Sequence, residues 1–271
     1  MDVDQAPSDV PATGQVFVEH HDSLATVTLS NPGKLNALSV AMWQQLTSIF
    51  QQLAADRQLR CIIVQGGGNN FAAGADITEF PTYRHDEPSV MHYHNGILAP
   101  ALAAIATCPH PVVAAIRGVC VGGGLEIASQ CDLRIAARTA RFGAPINRLG
   151  FPMAPHEMQG LLRLAGPAAT LEILLEGRVF DAAEAQAKGL LTRIVDDAAL
   201  DEAVEASVRR IMRGGPLAAR INKETVRRLE SGPDTFTADE YATLFRYAST
   251  HDHHEGVQAF LADRDPQFSG E

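Results

Sequence analysis

The amino-acid sequence predicts an α/β architecture that passes into a helical C-terminal region. Strand-like apolar runs alternate with helix-like periodic segments through short connections, which is the pattern of strands and helices packed in layers. Twice the same unit recurs. Residues 61–65 lead into a Gly/Ala turn at 71–77, and residues 111–116 lead into a turn at 118–124 that opens a helix. After Gly150 the periodicity becomes almost wholly helical.

Residues 16–20 and 24–30 read as two strands joined by a tight turn. Ser39 is a candidate N-cap for a helix over 40–55, with Met42, Leu46, Ile49 and Leu53 on one stripe. Residues 60–65 form a buried strand, and 66–70 a turn. Mixed charge and proline over 79–88 predict a mobile loop before a helix over 89–106. A strand at 112–116, a helix at 125–130 and a strand at 132–136 follow. Further on, helices are expected at 167–176 and 182–188, the second capped by Asp181 and stopped by Gly189. A short strand at 191–195 precedes helices at 200–212, 216–229, 238–247 and 254–261. The chain thus divides into a flexible tail (1–13), an α/β core (14–199) and a helical region (200–271), without a solenoid-type repeat.

With 271 residues, 46% of them hydrophobic, the chain can bury a sizeable core. A formal net charge of -10 argues against nucleic acid and anionic membranes as partners. It leaves room for a small anionic ligand at helix N-termini. Cys61, Cys108, Cys120 and Cys131 lack metal or redox spacing and read as small core residues suited to a reducing compartment. No apolar run is long enough to span a membrane, and the start lacks a basic-then-apolar signal segment, so a cytoplasmic protein is expected. No metal is expected. His92 and His94 are two apart and do not face each other on a helix, and the group at His251, Asp252, His253 and His254 reads as a solvated helix start.

Chemistry points to Gly118-Val-Cys-Val-Gly-Gly-Gly-Leu-Glu126. Glycines let backbone approach a ligand, and the first N–H groups of a helix are unsatisfied donors. Such a turn can hold an oxyanion, and Glu126 lies one step along the same helix, a pairing suited to carbonyl or thioester chemistry. The bland alternative is that both glycine loops are only tight turns. A dinucleotide site is disfavoured, because no Gly-x-Gly-x-x-Gly opens a helix after the first strand.

Several segments occur in a telling order: residues 24–32, Asn36-Ala37-Leu38, the two glycine loops, Cys131-Asp132-Leu133-Arg134, Phe142-Gly143-Ala144-Pro145 and residues 255–261. Together they resemble the enoyl-CoA hydratase/isomerase, or crotonase, superfamily over most of the chain. The resemblance implies a crotonase fold, with repeated ββα units in a spiral core and a C-terminal helical oligomerisation region. It implies an acyl-CoA substrate of fatty-acid-type metabolism, no cofactor beyond the coenzyme A carried by that substrate, and homotrimers or dimers of trimers. It assigns the N–H groups of Ala75 and Gly123 to the thioester oxygen, and Glu126 to proton transfer, where a structural glutamate at a helix start is the alternative. It places coenzyme A against Lys34, Leu35, Ala37, Ala73, Asp76, Ile77 and Gly122. Lys223 is a weaker phosphate contact and reads more readily as a solvated surface charge.

The departures from the family pattern matter as much. Its hydratases carry a second glutamate after the proline of Phe-Gly-x-Pro-Glu, and here Ile146 stands in that place. Isoleucine cannot move a proton, and losing one general acid/base costs about 10²–10⁴-fold. A Pro-Gly-x-Gly-Gly-Thr segment is replaced by Met153-Ala-Pro-His-Glu-Met158. His156 or Glu157 can supply the missing group, narrow the pocket or face solvent. Asn147 and Arg148 are candidates for recognising a polar or carboxylated acyl group. The expected activity is hydration/dehydration or a related lyase or isomerase step. The alternatives are acyl-CoA binding without turnover, or hydrolysis or decarboxylation using His156 or Glu157.

Overall fold

The computed structural model describes residues 14–232 and 235–271, so the tail expected at 1–13 lies outside the described residues. In chain order the core comprises β1 (Gln15–His21), β2 (Leu24–Ser30), α1 (Val40–Ala55), β3 (Cys61–Gly66), α2 (Phe80–Tyr83), α3 (Glu87–His92) and α4 (Ala99–Thr107). It continues through β4 (Val112–Ile116), β5 (Val119–Val121), α5 (Gly123–Gln130), β6 (Leu133–Ala137), β7 (Arg141–Gly143) and α6 (Pro155–Glu176). Next come β8 (Phe180–Asp181), α7 (Ala182–Ala187), β9 (Arg193–Val195) and α8 (Leu200–Arg213). Helices α9 (Pro216–Ser231), α10 (Ala238–Leu244) and α11 (His251–Leu261) complete the chain.

The main sheet has the order β1-β2-β3-β4-β6-β9, and a smaller one has the order β5-β7-β8. Among the described residues only the β1–β2 hairpin is antiparallel in the main sheet; every later pair is parallel. Parallel strands are covered on both faces, which explains why they read as unbroken apolar runs. In β3, Ile62 and Val64 face the larger core while Cys61 and Ile63 face a second one. Leu200, Val204 and Val208 of α8 close that second face, so the C-terminal helical region begins as part of the sheet packing. All four cysteines are buried and unpaired.

Caps fall where the sequence places them at Ser39, which accepts the Met42 N–H at 3.3 Å, and at Asp181, which accepts the Glu184 N–H at 2.9 Å. The expected loop over 79–88 is instead mostly helical. A 3₁₀ turn (Ile77–Glu79) runs into α2, and Asp86 caps α3 by accepting the Ser89 N–H at 2.9 Å. The expected helix over 89–106 spans α3 and α4 with a π turn at Tyr93–Leu98 between them. Pro100, which has no N–H to donate, follows that wide turn. α6 starts twelve residues before the expected 167, with a kink at Gly166 (φ 70°) ahead of Pro167. The expected 238–247 helix ends at Leu244 and gives way to a 3₁₀ turn. α11 starts at His251, and its Asp252 is buried rather than solvated. Its carboxylate accepts the N–H groups of Ser269 at 2.8 Å and Gly270 at 3.1 Å, tying down the last residues.

No helix among the described residues is long and apolar enough to cross a membrane, and no group of three or more His, Cys, Asp or Glu side chains there could hold a metal ion.

Candidate active site

The two glycine loops lie side by side because backbone bonds zip them together. The Ala72 N–H donates to Val119 O at 3.0 Å, and the Val121 N–H returns to Ala72 O at 3.1 Å. A third segment joins them: Ala73 N–H donates to Leu35 O at 3.0 Å, Leu38 N–H to Gly74 O at 2.7 Å, and Asp76 N–H to Leu38 O at 2.8 Å. This layer needs residues without side chains. Gly122 adopts φ 49° and ψ -122°, a conformation open to glycine alone. A Cβ on Gly124 would stand 2.4 Å from the Ala72 carbonyl oxygen. Gly74 lies against the start of α5, where a Cβ would be 3.6 Å from the Gly123 nitrogen. Within this layer the N–H groups of Ala75 and Gly123 donate to no partner among the described residues.

Both donors border a cavity of about 100 Å³. Glu126, in the first turn of α5, reaches the same cavity, is buried, and leaves Oε2 without a hydrogen-bond partner. Burial pushes its carboxyl well above the usual range, Glu157 adds to the push, and Arg84 opposes it. Glu157 comes from the first turn of α6, and its Oε1 lies 2.5 Å from His94 Nδ1 in the π turn. The pair is only 10% and 4% exposed at His94 and Glu157. Glu157 Oε2 also accepts the Ala154 N–H at 3.3 Å. Tyr93, Arg84 and Ile146 complete the polar and apolar lining around these groups. The cavity therefore combines two open N–H donors, two carboxyl groups, an imidazole and a guanidinium. A larger cavity of about 780 Å³ lies among the C-terminal helices, away from this cluster.

Residues 19–271 match the sequence profile of enoyl-CoA hydratase/isomerase. The chain belongs to that family. Among members of this hydratase/isomerase family, it is 35% identical to the probable enoyl-CoA hydratase echA8 of Mycobacterium tuberculosis, over 94% of this chain and 97% of that one. It is 30% identical to the 2,3-dehydroadipyl-CoA hydratase of Escherichia coli, over 94% and 99% of the respective chains. The crystal structure of an enoyl-CoA hydratase/carnithine racemase from Magnetospirillum magneticum superposes with a TM-score of 0.92 at 44% identity, covering 94% of this chain and 96% of that one. The fold is accordingly the α/β crotonase fold of repeated ββα units with a helical C-terminal region, and the protein is a crotonase-type enzyme of acyl-CoA thioesters.

Within this family member, the sequence-derived candidates divide between the cavity and its rim. Ala73, Ala75, Ile77, Gly122, Gly123 and Glu126 line the cavity. Lys34 Nζ is 2.7 Å from Asp76 Oδ2, so the two candidates pair with each other. Asp76 also accepts the Thr78 N–H at 3.1 Å, and these bonds hold its carboxyl below the usual range despite its burial. Leu35 is half exposed beside them, and the Ala37 carbonyl accepts Asn31 Nδ2 at 2.7 Å. Lys223 is a correction: it is neither a surface charge nor near the cavity. Its side chain is largely covered, pairing with Asp132 at 2.6 Å and with the His110 carbonyl at 2.7 Å. His156 is exposed and outside the cavity, whereas Glu157 is inside. Neither Asn147 nor Arg148 lines it; Asn147 Nδ2 donates to Leu175 O at 2.8 Å. Sequence reasoning missed Arg84, Tyr93 and His94. Arg84 lies in a stretch whose mixed charge and proline read as a loop, and the histidine pattern marks His94 only for a metal test that it fails.

Proposed function

We propose that this enzyme hydrates, or by reversal dehydrates, an enoyl-CoA thioester through an enolate held by the N–H groups of Ala75 and Gly123. The observation that carries the reading is the pair of unpartnered N–H donors from two converging loops beside a buried carboxyl with a free oxygen. Water adds its oxygen to C3 of the enoyl group, electrons move toward the thioester oxygen, and C2 then takes a proton. The two donors stabilise the oxygen's negative charge, and one such donor is worth roughly 3–4 kcal/mol. Glu126 moves a proton on this path. The Glu157–His94 pair supplies the second acid/base from α6 and the π turn, because Ile146 cannot. Coenzyme A lies along Lys34, Leu35, Ala37, Ala73, Asp76 and Ile77 at the cavity rim.

The test uses purified protein, 2- and 3-enoyl-CoAs and heavy water, with mass spectrometry of the thioesters. A water-mass gain that falls about 10²–10⁴-fold in Glu126→Gln and Glu157→Gln is the expected result. Deuterium uptake without water gain would replace hydration by isomerisation. Release of free CoA or carbon dioxide would replace it by hydrolysis or decarboxylation. Binding with no change in any thioester would leave a non-catalytic carrier.

The same reading takes the C-terminal helices as a trimerisation region. Phe260 and Leu261 of α11 are 85% and 80% exposed, and Tyr241, Phe245 and Val226 add to the apolar surface. Apolar exposure of this kind marks association surfaces. Sedimentation velocity should give a trimer or a dimer of trimers, and a monomer at micromolar concentration would refute the assignment.

A further inference from the structure

We infer that Arg84 binds a carboxylate carried at the far end of the acyl group, so that the preferred substrates are enoyl thioesters of dicarboxylic acids. The inference rests on the hydratase reading for where the acyl group lies. Arg84 borders the same cavity as Glu126 and Glu157. Its guanidinium carbon lies 4.0 Å from the centroid of the Phe151 ring, 4.2 Å from that of Phe80 and 5.4 Å from that of Tyr93. The three rings, with Phe80 set at 75° to both Tyr93 and Phe151, crowd the guanidinium and shield part of it, which leaves its N–H groups for recognition. Those groups have no partner: among the described residues no carboxylate stands within 4.0 Å of Arg84, and its side chain makes no hydrogen bond.

Neither nearby acid pairs with Arg84, although both Glu157 and the unpartnered Glu126 act on it through space. Glu157 is bonded to His94 and to the Ala154 N–H, and Glu126 is buried with α5. A positioned, partly desolvated guanidinium with open N–H groups matches a carboxylate in two parallel bonds. A plain hydrocarbon chain would leave that guanidinium without a hydrogen-bonded partner, and this disfavours it. A phosphate of coenzyme A is the other anion within the substrate. The place of Arg84 among the proton-moving groups, rather than beside Lys34, favours the acyl end.

The experiment compares three six-carbon trans-2-enoyl-CoAs: one ending in methyl, one in carboxylate and one in the methyl ester of that carboxylate. Wild type should prefer the carboxylate over the ester by about 10–100-fold in kcat/KM, the value of one charge-assisted bond pair. Arg84→Gln and Arg84→Met should abolish that ratio, chiefly through KM, and Arg84→Lys should retain part of it. Equal rates on carboxylate and ester in wild type would overturn the inference without any variant. So would a preference that survives in Arg84→Gln, or a matching loss of affinity for free CoA, which would assign Arg84 to a phosphate. Calorimetry with the saturated carboxylated and ester acyl-CoAs separates the two claims. A carboxylate preference in binding that Arg84→Gln removes, without turnover of any thioester, would keep the Arg84 site and refute the hydratase reading.

Discussion

Glu126 carries a conflict that its neighbours set. Burial and Glu157 push its carboxyl well above the usual range, while Arg84 pulls it down. In the proposed role of base it must be ionised, so the acid limb of kcat/KM should lie above the pH where ordinary carboxylates titrate. Removing the like charge in Glu157→Gln should move that limb to lower pH. Removing the cation in Arg84→Gln should move it to higher pH. A limb that stays fixed in both variants would show that Glu126 does not govern it. Glu126 and its glycine loop were legible in the sequence because their relation is local: strand, turn and carboxylate all lie within residues 111–126. The His94–Glu157 pair was not, because it forms across 63 positions between a π turn and a helix start that share no motif. Arg84 is likewise defined by rings at 80, 93 and 151, a grouping only the fold creates.

Elements hold these residues in place through their ends. α5 touches the first glycine loop at Gly124, where a Cβ would meet backbone rather than a yielding side chain. Gly124→Ala, a change that strengthens an open helix, should here cost about 1–3 kcal/mol and lower activity further by parting the two N–H donors. Urea unfolding and kinetics measure both, and a more stable variant with intact rate would refute the close approach. The other end of α5 is held by the buried Arg134, whose Nη1 donates to the Cys131 carbonyl at 2.5 Å and whose Nε donates to Leu190 O at 2.8 Å. α9 docks through Asp132, which accepts Val112 N–H at 2.7 Å, Lys223 Nζ at 2.6 Å and Arg227 Nη2 at 3.1 Å. Asp132→Ala leaves a largely shielded ammonium with only the His110 carbonyl as partner and should cost about 1–3 kcal/mol in the same unfolding assay. A loss below 1 kcal/mol would show the cluster to be solvated. The parallel strands were readable from their apolar runs. The helices at 80–92 were not, because Pro81 and Pro88 read as breaks, although proline in the first turn of a helix displaces no intrahelical bond.

At the scale of the whole molecule, the composition foretold a large core but not the buried histidine within it. His110 is 1% exposed between the helical region and the sheet. Burial first, and then the charge of Arg220, push its imidazole down to about 4. An unfolded chain restores an ordinary histidine near 6.5. Between those values the unfolded chain takes up a proton that the folded one refuses. Stability from this group is therefore complete above about pH 6.5 and is lost as pH falls toward 4, a change of roughly 2–3 kcal/mol. Carboxylates that are ion-paired in the fold, Asp76 among them, weaken it further at the acid end of that window. The difference between wild type and His110→Gln isolates the histidine, because those carboxylates are common to both. Urea unfolding at half-unit steps from pH 4.5 to 7.5 should give two curves that diverge as pH rises to 6.5 and run parallel above it. Curves parallel throughout would mean that His110 takes its proton inside the fold, and that the junction between α9 and the sheet admits water.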